Sequence, residues 1–220
     1  MSNDLIPPTP SDETYAVDED QGDVFTHADP FDLFSDWLAL ARLTEPNDAN
    51  AMAIATVDEA GLPDVRMVLL KDISENGLTF HTSRLSAKGR QLLTSGKAAL
   101  CFHWKTIRRQ VRFRGAAVEV SQEESANYFA TRARGARIGA WASKQSQEMS
   151  DPDEMKRAFA ELEKKFAKED DVPKPEYWSG FRIIPTEMEF WVNRPYRMHD
   201  RLLFKRGDAN ANWNATRLYP

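Results

Sequence analysis

Five short apolar runs follow one another in the middle of the chain, at residues 51–57, 65–70, 78–82, 98–104 and 110–120. Turn-forming stretches, residues 58–63 and 75–77 among them, bound these runs, so each reads as a β-strand. A parallel doubly wound sheet needs strict alternation of strand and helix, and this order lacks it. Helical spacing is confined to a few segments. Asp29-Pro30 reads as an N-cap with proline at the first helical position, and Phe31, Phe34, Trp37, Leu38 and Ala41 then recur on one face. Residues 86–95 read as a short helix capped by Ser86 and stopped by Gly96. Ser121 with Glu124 forms a capping-box pattern that starts a helix through Tyr128. Asp151-Pro152 with Glu154 starts another, through Phe159, Leu162 and Phe166 to about Glu169. Strands return at residues 181–192, 201–205 and 213–218. The expected fold class is α+β, built on an antiparallel barrel-like sheet with flanking helices.

Charge divides the chain unevenly. Residues 1–23 hold seven acidic side chains, no Lys or Arg and almost no apolar periodicity, which predicts a disordered acidic tail before one domain at residues 24–220. The chain has 29 Lys and Arg against 34 Asp and Glu; without the seven acids of the tail, the body has 29 against 27. Within that near-neutral body, residues 76–118 contain nine basic side chains and no acidic one. Residues 125–147 contain Arg132, Arg134, Arg137 and Lys144, again without an acid. Long stretches of one sign repel themselves unless an anion neutralises them, so they predict an anionic ligand. A nucleic-acid backbone is disfavoured, because the body is not basic overall and carries no helix-turn-helix, zinc-finger or aromatic RNA-binding signature. No glycine-rich phosphate loop is present either, which leaves side chains to bind any phosphate.

The remaining composition sets the setting. With 41% hydrophobic residues, six Trp and twelve Phe, the body can bury a core without metal or disulfide staples. The single Cys101 cannot form an internal disulfide and lies in an apolar run, which predicts a buried thiol in a reducing compartment. No apolar stretch approaches the roughly 18 residues of a membrane span, and the first five residues lack the basic start of a secretory signal. A soluble cytoplasmic protein with no membrane partner is expected. His27, His81 and His103 stand in no metal-ligand spacing, so no metal site is expected.

Spacing shows which cations can cooperate. Tyr128 and Arg132 are four apart on a predicted helix and share a face, offering a phenol and a guanidinium to one phosphate. If residues 197–201 are extended, Arg197, His199 and Arg201 point to one side. Gln110, Arg112 and Arg114 likewise lie opposite Val111 and Phe113. Arg66 and Lys71, five apart, point to opposite faces of a regular strand. They can serve one ligand only if it lies across the strand's end or a bulge intervenes.

Several of these segments recur together in a known order. The runs Arg66-Met67-Val68-Leu69-Leu70-Lys71, Ile138-Gly139-Ala140-Trp141-Ala142-Ser143-Lys144-Gln145-Ser146, Glu189-Phe190-Trp191, Arg197-Met198-His199-Asp200-Arg201 and Arg217-Leu218-Tyr219-Pro220 resemble the pyridoxamine 5'-phosphate oxidase family. The likeness extends from about Asp29 to the C-terminus. It implies an FMN-binding split β-barrel that forms a homodimer, with FMN at the subunit interface. It implies oxidation of pyridoxamine 5'-phosphate or pyridoxine 5'-phosphate to pyridoxal 5'-phosphate; oxygen reoxidises the flavin to give hydrogen peroxide, and the amine substrate releases ammonia. FMN and substrate each bring a phosphate to the acid-free stretches.

By the same resemblance, FMN falls to Arg66, Met67, Val68, Leu69 and Lys71, to Thr82, Lys88, Gln110, Gln145 and Ser146, and to Trp191 and Arg201. The substrate phosphate falls to Lys71, Tyr128 and Arg132, and the pyridine ring to Arg197 and His199, the pair nearest the chemistry. Three positions depart from the family pattern: Ala87 replaces a common Arg, Ala136 a common Ser, and His81 an aromatic before the FMN-contacting Thr82.

Overall fold

The structure, a computed structural model, describes residue 11, residues 21–169 and residues 171–220. The acidic tail expected at residues 1–23 lies outside the described residues except at positions 11 and 21–23. In chain order the elements are helix α1 (Pro30–Thr44), strands β1 (Ala51–Val57), β2 (Pro63–Leu69), β3 (Asp72–Ser74) and β4 (Gly77–Ser83), and helix α2 (Ala87–Ser95). Strands β5 (Lys97–Trp104) and β6 (Arg109–Glu119) follow, then helices α3 (Gln122–Thr131), α4 (Arg134–Ala142) and α5 (Glu154–Lys165). Strand β7 (Trp178–Val192), a 3-10 turn (Pro195–Arg197) and strands β8 (Asp200–Lys205) and β9 (Asn214–Leu218) close the chain.

Local chemistry accounts for most of these boundaries. The Asp29 carboxylate accepts the N–H of Phe31 at 2.7 Å and that of Asp32 at 3.3 Å, capping α1 ahead of Pro30. Ser86 accepts the N–H of Gly89 at 3.1 Å, and Gly96, at φ 60°, ends α2 in the left-handed conformation that glycine tolerates. Ser121 caps α3 through the N–H of Glu124. The reciprocal half of that box is missing, because Glu124 instead receives the guanidinium of Arg182.

Two elements go beyond the sequence reading, and a third differs from it in its bounds. Strand β3 pairs with β4 around a two-residue loop whose last partner, Gly77, has φ 126°. Helix α4 forms although Gly135 and Gly139 weaken its intrinsic propensity; it buries Ile138 and Ala142. Helix α5 starts later and ends earlier than its spacing predicts: Asp151 accepts the N–H of Asp153 in a local turn, and Phe166 already lies off the helix.

The chain forms two compact units, and β5, β6 and β7 each contribute residues to both. The first comprises Met1–Ala49, Phe102–Arg112 and Glu187–Pro220. Helix α1 buries Leu33, Phe34, Trp37 and Ala41 there. Trp37 meets Phe190 edge-on at 5.2 Å, Phe34 lies 5.0 Å from Phe102, and Phe190 lies 5.7 Å from Phe204. Strand β8 pairs antiparallel with β7 and with β9, bringing Trp191 opposite Arg201.

The second unit comprises Asn50–Cys101 and Phe113–Thr186. Its strands follow the order β2-β1-β5-β6-β7-β4-β3, and the pairs β1 with β2, β1 with β5, β3 with β4 and β4 with β7 are antiparallel. Met52, Ile54, Leu78, Phe80 and Phe181 are buried in it. Each such side chain contributes about 1.5–3 kcal/mol relative to exposure. Around α4 and α5, Ile138, Phe166 and Val172 form a cluster covered by Trp141, Phe159 and Leu162. Cys101, expected to be buried, is half-buried in β5.

Candidate functional site

In the second unit, three elements converge on a pair of cations. Lys88, in the first turn of α2, is buried, and its ammonium lies 3.5 Å from the hydroxyl of Thr82 on β4. Burial, and after it the charge of Arg66, pushes the Lys88 pKa down, with Asp64 partly opposing. Arg66, on β2, bonds Thr56 and Asp64 and reaches the side-chain oxygen of Gln91 at 3.2 Å. Thr82 also donates to Gln145, just after α4, at 2.9 Å, and the neighbouring Ser146 sits at φ 67°. Of the expected FMN contacts, Thr82, Lys88 and Gln145 are linked by hydrogen bonds, and Arg66 acts on Lys88 through its charge. Val68 lies half-buried on the same strand face as Arg66, whereas the exposed Met67 and Leu69 point to the other face.

A second cluster in this unit contains Lys71, Tyr128 and Arg132. Lys71 lies past the end of β2, where its N–H bonds the carbonyl of Thr79 at 2.8 Å. Tyr128 is on α3, but the helix ends at Thr131, and Arg132 caps it with extended backbone. Helical spacing therefore does not align the two. The Trp178 ring does: the Arg132 guanidinium lies 5.2 Å from its centroid, and Tyr128 is nearly parallel to it at 6.1 Å. Burial pushes the Arg132 pKa down, and its buried Nη1 has no hydrogen-bond partner. His81, on β4, stacks on Tyr128 at 4.1 Å.

The first unit holds the other expected contacts: Gln110, Trp191, Arg197, His199 and Arg201. Gln110 is half-buried on β6, between the buried Arg109 and Val111. Arg201 donates from Nε to Glu189 at 2.9 Å and from Nη1 to the Tyr219 carbonyl at 2.8 Å. Glu189 is 7% exposed and also bonds Arg112. The expected extended run at residues 197–201 does not form. Pro195 lacks an N–H and opens a 3-10 turn closed by the Met198 N–H on the Pro195 carbonyl; Tyr196 and Arg197 have φ 55° and 59°. Such left-handed conformations cost a non-glycine residue roughly 1 kcal/mol or more. Strand β8 begins only at Asp200, so alternation does not put Arg197, His199 and Arg201 on one side.

His199 is nonetheless well defined. Its ring lies 4.6 Å from that of Trp191, and Nδ1 accepts the N–H of Arg194 at 3.2 Å, which leaves the proton of the neutral ring on Nε2. Burial, then the charges of Arg197 and Arg108, push its pKa down.

The donor set of the Lys88 cluster fits FMN. A buried ammonium beside a guanidinium, in a helix turn without an acidic residue, is unfavourable until a dianion such as the FMN phosphate joins it. Thr82 and Gln145 add neutral donors and acceptors suited to the rest of the cofactor. Glu189 bonds Arg201 and Arg112, and Trp178 lies against Arg132. An acid between the apolar Met188 and Phe190 is the signal the sequence offers for Glu189; for Trp178 it offers none, because only folding brings it to Arg132. Among the described residues no group of three or more His, Cys, Asp or Glu is placed to hold a metal, and no helix is long and apolar enough to cross a membrane.

The architecture is that of the FMN-binding split barrels. A PhzG structure from Burkholderia lata 383, in complex with tetrahydrophenazine-1-carboxylic acid, superposes with a TM-score of 0.82 at 31% identity, covering 89% of this chain and 95% of that one. A pyridoxamine 5'-phosphate oxidase-related, FMN binding protein from Nostoc punctiforme PCC 73102 shares the fold at a TM-score of 0.70 and 19% identity, covering 87% and 98%. Residues 41–166 match the family described as Pyridoxamine 5'-phosphate oxidase, and residues 178–220 match the Pyridoxine 5'-phosphate oxidase C-terminal dimerisation region. The chain belongs to the pyridoxamine 5'-phosphate oxidase family. It is 52% identical to the pyridoxine/pyridoxamine 5'-phosphate oxidase of Maricaulis maris over the full length of both chains. With that of Brucella anthropi it shares 55% identity over 90% of this chain and 98% of the relative.

Proposed function

We propose that the chain is an FMN-dependent oxidase that converts pyridoxamine 5'-phosphate and pyridoxine 5'-phosphate to pyridoxal 5'-phosphate in vitamin B6 metabolism. The observation that carries this reading is the presence of two separate cationic clusters in one unit, Arg66 with Lys88 and Lys71 with Tyr128 and Arg132. A reaction between two phosphate-bearing molecules needs two such sites. The names of the full-length relatives support the substrate.

FMN, when bound, would supply the two-electron acceptor, with oxygen as the final oxidant and hydrogen peroxide as its product. Lys88 and Arg66 hold its phosphate, and Thr82, Gln110, Gln145, Ser146, Trp191 and Arg201 bind the remainder together with Met67, Val68, Leu69 and Lys71 of the β2 segment. Lys71, Tyr128 and Arg132 hold the substrate phosphate. Arg197 offers a planar guanidinium to the pyridine ring, and His199 offers its Nε2–H to the substrate, so that the two orient the C4' carbon. The amine substrate loses ammonia; the alcohol does not. The working form is a homodimer in the cytoplasm with FMN at the subunit interface, a reading supported by the match to a dimerisation region.

The PhzG likeness favours a second reading, an oxidoreductase of the same fold with a different substrate. A non-catalytic FMN- or pyridoxal-phosphate-binding protein is the third. One experiment separates them. Purified protein carrying FMN is mixed with pyridoxamine 5'-phosphate without oxygen, and loss of the yellow flavin absorbance is the expected result. Flavin that stays yellow with this substrate and with pyridoxine 5'-phosphate overturns the oxidase reading.

A further inference from the structure

The half-buried His81 holds two ring nitrogens that are buried with nothing to bond. Neither Nδ1 nor Nε2 is exposed, and neither has a hydrogen-bond partner. The ring is held flat: its plane lies within 15° of Tyr128 and 11° of Trp178, with centroids 4.1 Å and 5.0 Å away. Opposite it on β7 is Gly180, where a Cβ would come within 2.8 Å of both Cδ2 and Nε2 of the ring. Buried polar atoms are almost always satisfied, so two orphans on one ring point to a partner that arrives from outside.

The charges around it narrow the choice. Lys71 comes from the segment after β2 and Arg132 from the end of α3, and both act on the imidazole. Tyr128 supplies a phenol from α3. From β7, Arg182 is taken up by Thr79 and Glu124. The buried Nη1 of Arg132 is a further orphan donor. With no anion present, a proton on His81 would add another positive charge to this set. Burial, then Arg132 and Lys71, accordingly hold its pKa down at about 4. A phosphate dianion between the two cations offsets their charge and removes that opposition to protonation.

We propose that His81 is a proton-dependent positioning residue of the phosphate site formed by Lys71, Tyr128 and Arg132: it binds a proton from solvent more readily when a phosphate monoester occupies the site than when the site is empty. The proposal rests on the assignment of the substrate phosphate to those three residues. The proton adds one N–H bond to the ring and completes an ion pair with the anion. Each unit by which the ligand raises the His81 midpoint is a tenfold tighter hold on the anion by the protonated form.

The chain has four histidines, so ring-nitrogen NMR of FMN-loaded protein labelled with 15N-histidine resolves them, and His81→Phe identifies the His81 signals by their loss. The midpoint of His81 is measured alone, with saturating sodium sulfate, with sodium chloride of equal ionic strength, and with saturating pyridoxal 5'-phosphate. Sulfate does not titrate in this range, so any rise it causes belongs to the protein. The expected result is a rise of at least one unit with sulfate and with pyridoxal 5'-phosphate, and none with chloride. Calorimetry in buffers of different ionisation enthalpy gives a second readout: pyridoxal 5'-phosphate binding at pH 5 takes up more protons in the natural protein than in His81→Phe. An unmoved midpoint at ligand saturation, or equal uptake in the two proteins, overturns the role of His81 and leaves the phosphate site standing. Unchanged pyridoxal 5'-phosphate affinity in both Lys71→Ala and Arg132→Ala overturns the site itself and the proposal with it.

Discussion

The carboxylate of Glu189 receives the Nε–H of Arg201 at 2.9 Å from the neighbouring strand, while its second oxygen binds Arg112. Glu189 is 7% exposed, so removing its charge leaves two guanidinium groups facing each other beside a buried amide. Both arginines are partly exposed and solvent screens them, which reduces the cost below that of a fully buried pair. Glu189→Gln is expected to lower stability by about 1–3 kcal/mol in urea unfolding, and to weaken FMN binding because Arg201 loses its anchor. Unchanged stability would show that the Tyr219 carbonyl alone holds Arg201.

Lys88 trades stability for affinity. Its buried ammonium meets only a hydroxyl at 3.5 Å and lies beside Arg66. Lys88→Met keeps the volume and removes the charge. The FMN-free variant is expected to unfold at a higher temperature than the natural protein. Loss of a charge-assisted phosphate contact is expected to weaken FMN binding roughly ten- to a hundredfold, measured by quenching of flavin fluorescence.

Gly180 is required by the ring opposite it. A methyl group there would meet Cδ2 and Nε2 of His81 and Cγ2 of Val120, each at 2.8 Å. Gly180→Ala is expected to cost about 1–3 kcal/mol through overpacking and to tilt the stack that carries Tyr128. Substrate KM should rise more than kcat falls; an unaltered KM would separate the stack from phosphate binding.

Stability should fall as the solution is acidified. His81 has its pKa lowered from 6.5 to about 4, so between these values the unfolded chain binds more protons than the folded one. Its unfavourable contribution is absent above pH 6.5 and grows as pH drops towards 4. The His199 pKa is also lowered and acts in the same direction. Unfolding in urea at pH 7 and pH 5 is expected to show the loss, and His81→Phe to show a shallower one. An identical slope in the variant would remove His81 as a source.

Much of the fold follows from local signals. Asp29, Ser86, Gly96 and Ser121 mark helix ends through their own hydrogen bonds or backbone freedom, and each does so in the structure. Period-two alternation likewise places Val111 and Phe113 inward and Arg112 and Arg114 outward on β6. The same rule fails at residues 197–201, because the pairing of β7 with β8 stops at Val192 and Asp200 and residues 195–197 form a 3-10 turn between them. Helix α4 is not marked locally for a related reason: its glycines lower local propensity, and packing of Ile138 and Trp141 with Phe159 and Leu162 of α5 supplies what propensity does not.

By itself, the order of residues determined the strand and helix types, the acid-free stretches and the family resemblance, since these depend on neighbours a few positions apart. Which charges face one another was decided only by tertiary structure. Thr82 meets Gln145 across 63 positions, Arg112 meets Glu189 across 77, and His81 meets Trp178 through the pairing of β4 with β7. The strength of a charge depends on burial and on the charges within a few ångströms, and no spacing along the chain encodes either. That is why the lowered pKa values of Lys88 and His81 exist only in the folded chain, where burial acts first and then Arg66 on Lys88, and Arg132 and Lys71 on His81.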